Sequence, residues 1–305
     1  MMIKPPYLKK GDKIAIVCTA RKFSKEEAQP AIQLMESWGL QVVLGETIGK
    51  DNFQLGGTDE DRVNDFNKQL ANPEIKAIWC ARGGYGTVRI IDQIDFGLLT
   101  KSPKWIIGFS DVTVLHSHIH KLGIETIHGI MAFSVPKATE KAKDTLYHAL
   151  FNGRLEYKIK SCELNKYGNA QGELVGGNLS ILYSLLGSPS AIDTNDKILF
   201  IEDLDEYLYH LDRMMYNLKR NGVLDNLRGM IVGGMTDMHD NEIPFGQKAH
   251  EIILSAVSDK IYPVVFDFPS GHGAENNALI LGRKIVLETN PQESVLKFEE
   301  HGRAL

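Results

Sequence analysis

The stretch W-I-I-G-F-S-D-V-T, Trp105 to Thr113, decides how the rest of the chain is read. Trp105 to Ile107 is an apolar run of strand length, Gly108-Phe109-Ser110 breaks it, and Asp111 to Leu122 has helical character. A strand, a tight turn and a helix N-terminus in this order lift the Ser110 hydroxyl clear of a sheet edge. The helix amides beside it stabilise negative charge. This is the logic of a nucleophile elbow, although G-x-S-x-G is not met because position 112 is Val. A serine at this place also caps a helix well, and the stretch by itself leaves both roles open.

Working outward, the first half alternates strand and helix signals. Lys13 to Cys18 (K-I-A-I-V-C), Leu40 to Leu44 and Ala77 to Ala81 read as buried strands, with the Trp105 run as a fourth. Between them, Lys25 to Trp38 reads as a helix closed by Gly39, and Thr58 to Leu70 as a helix opened by T-D-E-D, a cap followed by acids. Short apolar strands separated by helices predict an α/β fold with a parallel sheet covered on both faces. Residues 135 to 172 are polar, Lys-rich and without a clear apolar repeat, so the domain junction is expected at 151–171. That division gives a nucleophile domain over 1–150 and a smaller α/β domain over 151–305. In the latter, Gly177-Asn178 opens a helix through Leu186, and Lys197 to Ile201 is a strand. Glu206 to Arg220 is an amphipathic helix with Leu208, Leu211, Met215 and Leu218 at helical spacing. Met230 to Val232, Val264 to Phe268, Leu279 to Glu288 and Ser294 to Glu299 read as β.

Composition narrows the class. With 305 residues, 43% hydrophobic and 24% charged, the chain is that of an ordinary globular protein. A net charge of -5 leaves no basic footprint for nucleic acid. Met1 to Lys10 lacks an apolar core of signal-peptide type, and no stretch is long and apolar enough to span a bilayer. The expectation is a cytoplasmic protein with no membrane or nucleic-acid partner. Cys18, Cys80 and Cys162 are scattered without metal-type pairing and suit a reducing compartment.

A serine nucleophile needs a base, usually an oriented histidine. His272 lies in F-P-S-G-H-G-A-E-N-N, a Gly-rich loop at a strand end, where parallel-sheet proteins place active groups. His116, His118 and His120 form H-S-H-I-H. His116 and His120 have i, i+4 zinc-like spacing, but no third ligand is indicated, and packing histidines are the plainer reading. Glu202 closes a strand and begins E-D-L-D-E, and pattern alone does not choose among Glu202, Asp203, Asp205 and Glu206 as the acid that orients a histidine. The run C-A-R-G-G-Y-G, Cys80 to Gly86, lets backbone amides approach an oxyanion or phosphate, yet it matches neither a Walker A loop nor a dinucleotide fingerprint. Cys80 itself reads as a small apolar strand residue.

Together these motifs resemble the LD-carboxypeptidase family of serine peptidases, which includes the microcin-immunity peptidases. The similarity spans nearly the whole chain. It includes L-K-K-G-D-K-I-A-I-V (Leu8 to Val17), L-G-G-T-D-E-D-R (Leu55 to Arg62), I-W-C-A-R-G-G-Y-G (Ile78 to Gly86), P-K-W-I-I-G-F-S-D-V-T (Pro103 to Thr113), G-G-N-L-S (Gly176 to Ser180), E-D-L-D-E-Y-L-Y-H-L-D-R-M (Glu202 to Met214) and G-H-G-A-E-N (Gly271 to Asn276). The resemblance implies a Ser-Glu-His triad at Ser110, Glu202 and His272, with the site between an amidotransferase-like α/β domain and a smaller one. It implies an oxyanion site at Gly84, with Gly83 as the other candidate, and Asp111. The family's usual role is removal of terminal D-alanine from a murein tetrapeptide in cytoplasmic wall recycling; the microcin-immunity branch cleaves peptidyl or aminoacyl nucleotides. Arg82, Arg213 and Asn178 are the expected substrate contacts, the arginines because a guanidinium pairs with a carboxylate in bidentate fashion. No cofactor is implied, the oligomeric state stays open with a homodimer as one candidate, and a non-catalytic ligand-binding protein is the alternative of another class. The sequence departs from the family at C-T-A after the first strand, where A-P-S is common, and at Ile130, where Pro is frequent.

Overall fold

Two sheets organise the chain in the computed structural model, which describes residues 2–299. Their strands are β1 (Lys13–Val17), β2 (Gln41–Leu44), β3 (Ile75–Cys80), β4 (Trp105–Gly108), β5 (Thr126–His128), β6 (Glu156–Lys160), β7 (Gly168–Asn178), β8 (Lys197–Leu204), β9 (Gly229–Thr236), β10 (Val264–Val265), β11 (Leu279–Leu281), β12 (Lys284–Thr289) and β13 (Glu293–Phe298). The first sheet runs β11-β5-β4-β3-β1-β2, parallel from β5 to β2. The second runs β10-β9-β8-β7-β12-β13-β6, parallel from β10 to β7 and antiparallel beyond.

The apolar runs explain the first sheet. Side chains alternate across a strand, and here both faces are covered, so the runs need no polar side. Ile14, Ile16, Trp79, Trp105 and Ile107 pack on one face. Ala15, Val17, Ile78, Cys80 and Ile106 pack on the other. The two buried indoles still need acceptors: Trp79 donates to Ile130 O at 2.8 Å and Trp105 to Pro6 O at 3.0 Å. The helix Asp59–Ala71 opens with the capping box that T-D-E-D suggests, Thr58 accepting from the Asp61 amide while Asp61 accepts from the Thr58 amide.

Several boundaries differ from expectation. The helix expected from Lys25 starts only at Gln29, with Pro30 in its first turn. The elbow helix begins with a 3-10 turn, Ser110–Val112, before the α-helix Thr113–Lys121. The helix after Gly177-Asn178 is short, Leu179–Ser184, with Asn178 as its cap. The strand expected over Val264–Phe268 pairs only at Val264–Val265, and Gly282, at φ +89°, divides the expected Leu279–Glu288 strand. The polar region 135–172 is not featureless. It holds the helix Glu140–Phe151, capped by Thr139, and then β6 and the start of β7. The buried helix positions are Ala142, Thr145, Leu146, Ala149 and Leu150, of which three are too small or too polar to show as an apolar stripe. In β6, Tyr157 alone is fully buried, as an edge strand requires.

The halves interlock. β11 comes from the C-terminal half but pairs antiparallel with β5 as the edge of the first sheet. Arg283, 2% exposed, donates from Nη2 to Glu125 Oε2 at 2.6 Å and from Nε to Oε1 at 3.2 Å, and reaches the Tyr7 hydroxyl at 3.1 Å. On the other side, helix Thr113–Lys121 bolts onto the second sheet. Thr113 Oγ1 accepts from the Asn178 amide at 3.0 Å, Ser117 donates to Ser190 O at 2.6 Å, and His120 Nε2 meets Glu173 at 2.5 Å.

Candidate active site

Ser110 sits where β4 ends, with φ 60°, the left-handed region that non-glycine residues rarely occupy. Such backbone costs about 1–3 kcal/mol and persists only where the surroundings over-determine it. The surroundings here are tight. A Cβ on Gly108 would lie 2.8 Å from a Val112 methyl, so only glycine admits the turn. A Cβ on Gly83 would lie 3.2 Å from Ser110 Oγ, so the R-G-G-Y-G loop passes directly beside the hydroxyl. Asp111, buried, ties the two together: its Oδ2 accepts from the Thr87 amide, just beyond that loop, at 2.9 Å. Buried Arg62 braces the same loop by donating to Thr19 O at 2.6 Å and Gly86 O at 2.9 Å.

Glu202 lies on β8 with no exposed surface, and His272 lies on the loop after β10. His272 Nδ1 and Glu202 Oε2 are 2.7 Å apart. Burial opposes the imidazolium, but the Glu202 charge and hydrogen bond outweigh it and hold His272 above its ordinary value. With Nδ1 donating to Glu202, Nε2 is the nitrogen left to accept a proton. Gly271, at φ +127°, makes the pair possible, since a Cβ there would lie 2.8 Å from Glu202 Oε2. The loop is held by the Asn276 carboxamide, whose Oδ1 accepts from the Gly271 amide at 2.9 Å and the Ser270 hydroxyl at 3.1 Å. The Phe109 ring packs against the imidazole with centroids 4.8 Å apart, linking the elbow to the histidine loop.

A cavity of about 640 Å³ opens over these groups and is lined by Ser110, His272, Gly83 and Gly84 from the expected set. Arg82 lines it too, stacked on the Phe133 ring at 4.1 Å with Glu27 at 4.0 Å. Asn178 reaches the lining, but its side chain is engaged in the fold. Its Oδ1 accepts from the Ile181 amide at 3.1 Å, and its Nδ2 donates to Asp203 at 2.9 Å. Asp203, one of the four acids that pattern alone left open, lines the cavity beside Glu202; burial and the Glu202 charge push it up to about 6. The one expected contact not brought to the cavity is Arg213. It lies on the exposed face of helix Leu208–Arg220, its guanidinium 5.2 Å from the Tyr209 ring centroid, because Leu211, Met214 and Met215 take the inward face. Arg21 lines the cavity instead, and its place just past the C-terminal end of β1 was the available signal.

The remaining chemistry-bearing residues have structural partners. His116 bridges Thr126 Oγ1 at 2.8 Å and Gly108 O at 2.9 Å, His118 meets Ser190 Oγ at 2.9 Å, and His120 faces Glu173, so the H-S-H-I-H side chains diverge. Burial pushes the Cys18 and Cys80 thiols up to about 12, which keeps them protonated and unreactive.

Comparison with known proteins agrees with this architecture. The LD-carboxypeptidase N-terminal domain matches residues 14–129, and the LD-carboxypeptidase C-terminal domain matches residues 171–287. A Bacillus subtilis protein named "Probable murein peptide carboxypeptidase" is 36% identical, over 96% of this chain and 94% of its own. The murein tetrapeptide carboxypeptidase of Pseudomonas aeruginosa is 30% identical over 91% and 94%. The crystal structure of muramoyltetrapeptide carboxypeptidase from Oxalobacter formigenes superposes with a TM-score of 0.87 at 26% identity, covering 95% of this chain and 100% of that one.

Proposed function

The chain belongs to the LD-carboxypeptidase family of serine peptidases, and on that premise we propose that it releases the terminal D-alanine from murein tetrapeptides. The bond cleaved joins the L-centre of diaminopimelate to D-alanine, and the setting is cytoplasmic recycling of the cell wall. The observation that carries this reading is the Glu202–His272 pair, 2.7 Å apart, at the cavity that Ser110 also lines.

Ser110 Oγ attacks the scissile carbonyl as His272 Nε2 takes its proton. Glu202 holds the imidazole tautomer and stabilises the imidazolium. The backbone amides of Gly84 (or Gly83) and Asp111 receive the oxyanion, a contribution of about 3 kcal/mol per donor in comparable sites. Collapse of the intermediate breaks the C–N bond, and the proton on Nε2 leaves with the D-alanine amine. Water, activated by the same nitrogen, then cleaves the acyl-serine ester and restores Ser110. Arg82 stands on the cavity wall for a substrate carboxylate.

Mass spectrometry of L-Ala-D-Glu-diaminopimelate-D-Ala after incubation with the protein tests the reading. The expected product is the tripeptide, one D-alanine lighter. An intact tetrapeptide, with cleavage of an aminoacyl nucleotide under the same conditions, would assign the chain to the microcin-immunity branch instead.

A further inference from the structure

Resting on that reading, we infer that Arg21 is the residue that receives the free carboxylate of the leaving amino acid and so restricts the enzyme to chain ends. A carboxypeptidase must recognise a carboxylate close to the scissile carbonyl. Between the two lie one C–N, one N–Cα and one Cα–C bond, so they are separated by about 4 Å. The receiving cation therefore has to stand beside Ser110 and its oxyanion donors. Arg21 meets this condition. Its side chain lies across Gly84: a Cβ on that glycine would be 2.6 Å from both Cδ and Nε of Arg21. Gly83, the next residue, is the one that closes on Ser110 Oγ. Glycine at 84 is what allows the guanidinium stem this close to the loop.

Arg21 is also uncommitted. Among the described residues its guanidinium has no hydrogen-bond or ion-pair partner, while Arg82 has Glu27 and the Phe133 ring. Arg21 is exposed at the cavity wall, so only water competes for its guanidinium, and a substrate carboxylate can take that place in bidentate fashion. The charge on the cavity walls agrees. Arg21, Arg82 and Lys137 come from the N-terminal half, whereas Asp203, Asp205 and Glu206 come from the C-terminal half. An anionic chain end is drawn to the first wall and repelled by the second.

The test uses the Ser110→Ala protein, so binding is measured without turnover, by calorimetry with the tetrapeptide as free acid and as C-terminal amide. Arg21→Gln in that background is expected to weaken free-acid binding by about 10- to 150-fold, the range for a charge-assisted hydrogen bond, and to leave the amide's affinity unmoved. Arg21→Lys, which keeps the charge without the fork, should recover part of the loss. Equal affinity of the Ser110→Ala protein for acid and amide, or the same loss on both ligands with Arg21→Gln, would overturn the inference. The second of these would place Arg21 at the oxyanion or in the fold. Arg21-dependent preference for the acid in a protein whose serine form cleaves no tetrapeptide would sink the proposed reaction and leave the carboxylate site standing.

Discussion

At the scale of single residues, the site is a set of conformations that glycine makes room for. Ser110 at φ 60° depends on Gly108, and Glu202 depends on Gly271. Ser110→Ala keeps the turn and removes only the hydroxyl. The expected result is a folded protein whose tetrapeptide hydrolysis falls by several orders of magnitude, roughly 10⁶ in a comparable triad. Near-normal turnover by that variant would end the assignment. The histidine adds a pH signature. His272 must be neutral to accept a proton, and although burial works against its charge, Glu202 holds its pKa up. The acid limb of kcat/KM should therefore have its midpoint above about 6.5, the ordinary histidine value, with activity rising as pH rises through it. Glu202→Gln removes the larger raising causes, leaving the weaker pull of the Asp203 charge, and should move that limb to lower pH, besides lowering the rate. A limb that stays in place would mean another group controls it. The sequence stretches around Ser110 and His272 were legible because strand end, glycine and polar residue stand together in each. The choice of Glu202 from E-D-L-D-E needed the family resemblance, since all four acids lie on or just beyond the same strand end. Arg21 went unnoticed because it belongs to no glycine-rich turn, and only the packing of the chain turns it toward the cavity.

At the scale of elements, helix Thr113–Lys121 does more than present a dipole to Ser110. Its histidines are structural bolts, and two buried imidazoles near the elbow make stability depend on acid. Burial pushes His116 down to about 4, and burial together with the neighbouring His116 and His272 pushes His128 well below its ordinary value. Both are neutral in the folded protein and free to protonate once unfolded. Their contribution is therefore present above the unfolded value of about 6.5 and declines as pH falls toward the folded values. His116 alone represents about 3 kcal/mol over that window at the usual 1.36 kcal/mol per pH unit. Urea unfolding at pH 7 and pH 5 should show a clear loss of stability at the lower pH, and a smaller loss in His116→Gln. Equal loss in both proteins would place the acid sensitivity elsewhere. The strongly apolar elements, β1, β3 and β4, were readable from hydropathy alone because both their faces are buried. Helix Glu140–Phe151 was not, because alanine and threonine fill the positions that a leucine stripe would have marked.

At the scale of the whole molecule, the division expected at residues 151–171 meets a chain that crosses it. β11 completes the first sheet from the far half, and Arg283, beside it in sequence, locks onto Glu125. Separation of the chain into 1–150 and 151–305 therefore removes more than a linker. The first piece loses its edge strand and exposes β5, while the second keeps a buried arginine without the carboxylate that neutralised it. It also parts Ser110 from Glu202 and His272, which a triad needs within about 2.6–3.2 Å of their partners. Neither piece should hydrolyse tetrapeptide, and the first should be less soluble than the intact protein. Activity in 1–150 alone would mean a base local to that half, with His116 or His128 as the substitutes. The contribution of the lock can be measured without cutting the chain. Glu125→Gln leaves the Arg283 charge buried at 2% exposure, and breaking one side of such a pair costs about 3–5 kcal/mol. The expected result is a lower urea midpoint with an unchanged slope, since the same surface is exposed on unfolding. If activity at low urea stays near normal in this variant while stability falls, the lock serves to hold the halves together and the cavity geometry is set closer to the site, by the Thr113–Asn178 and Phe109–His272 contacts. If activity falls in step before unfolding begins, registry between Ser110 and His272 is transmitted from the far edge of the first sheet.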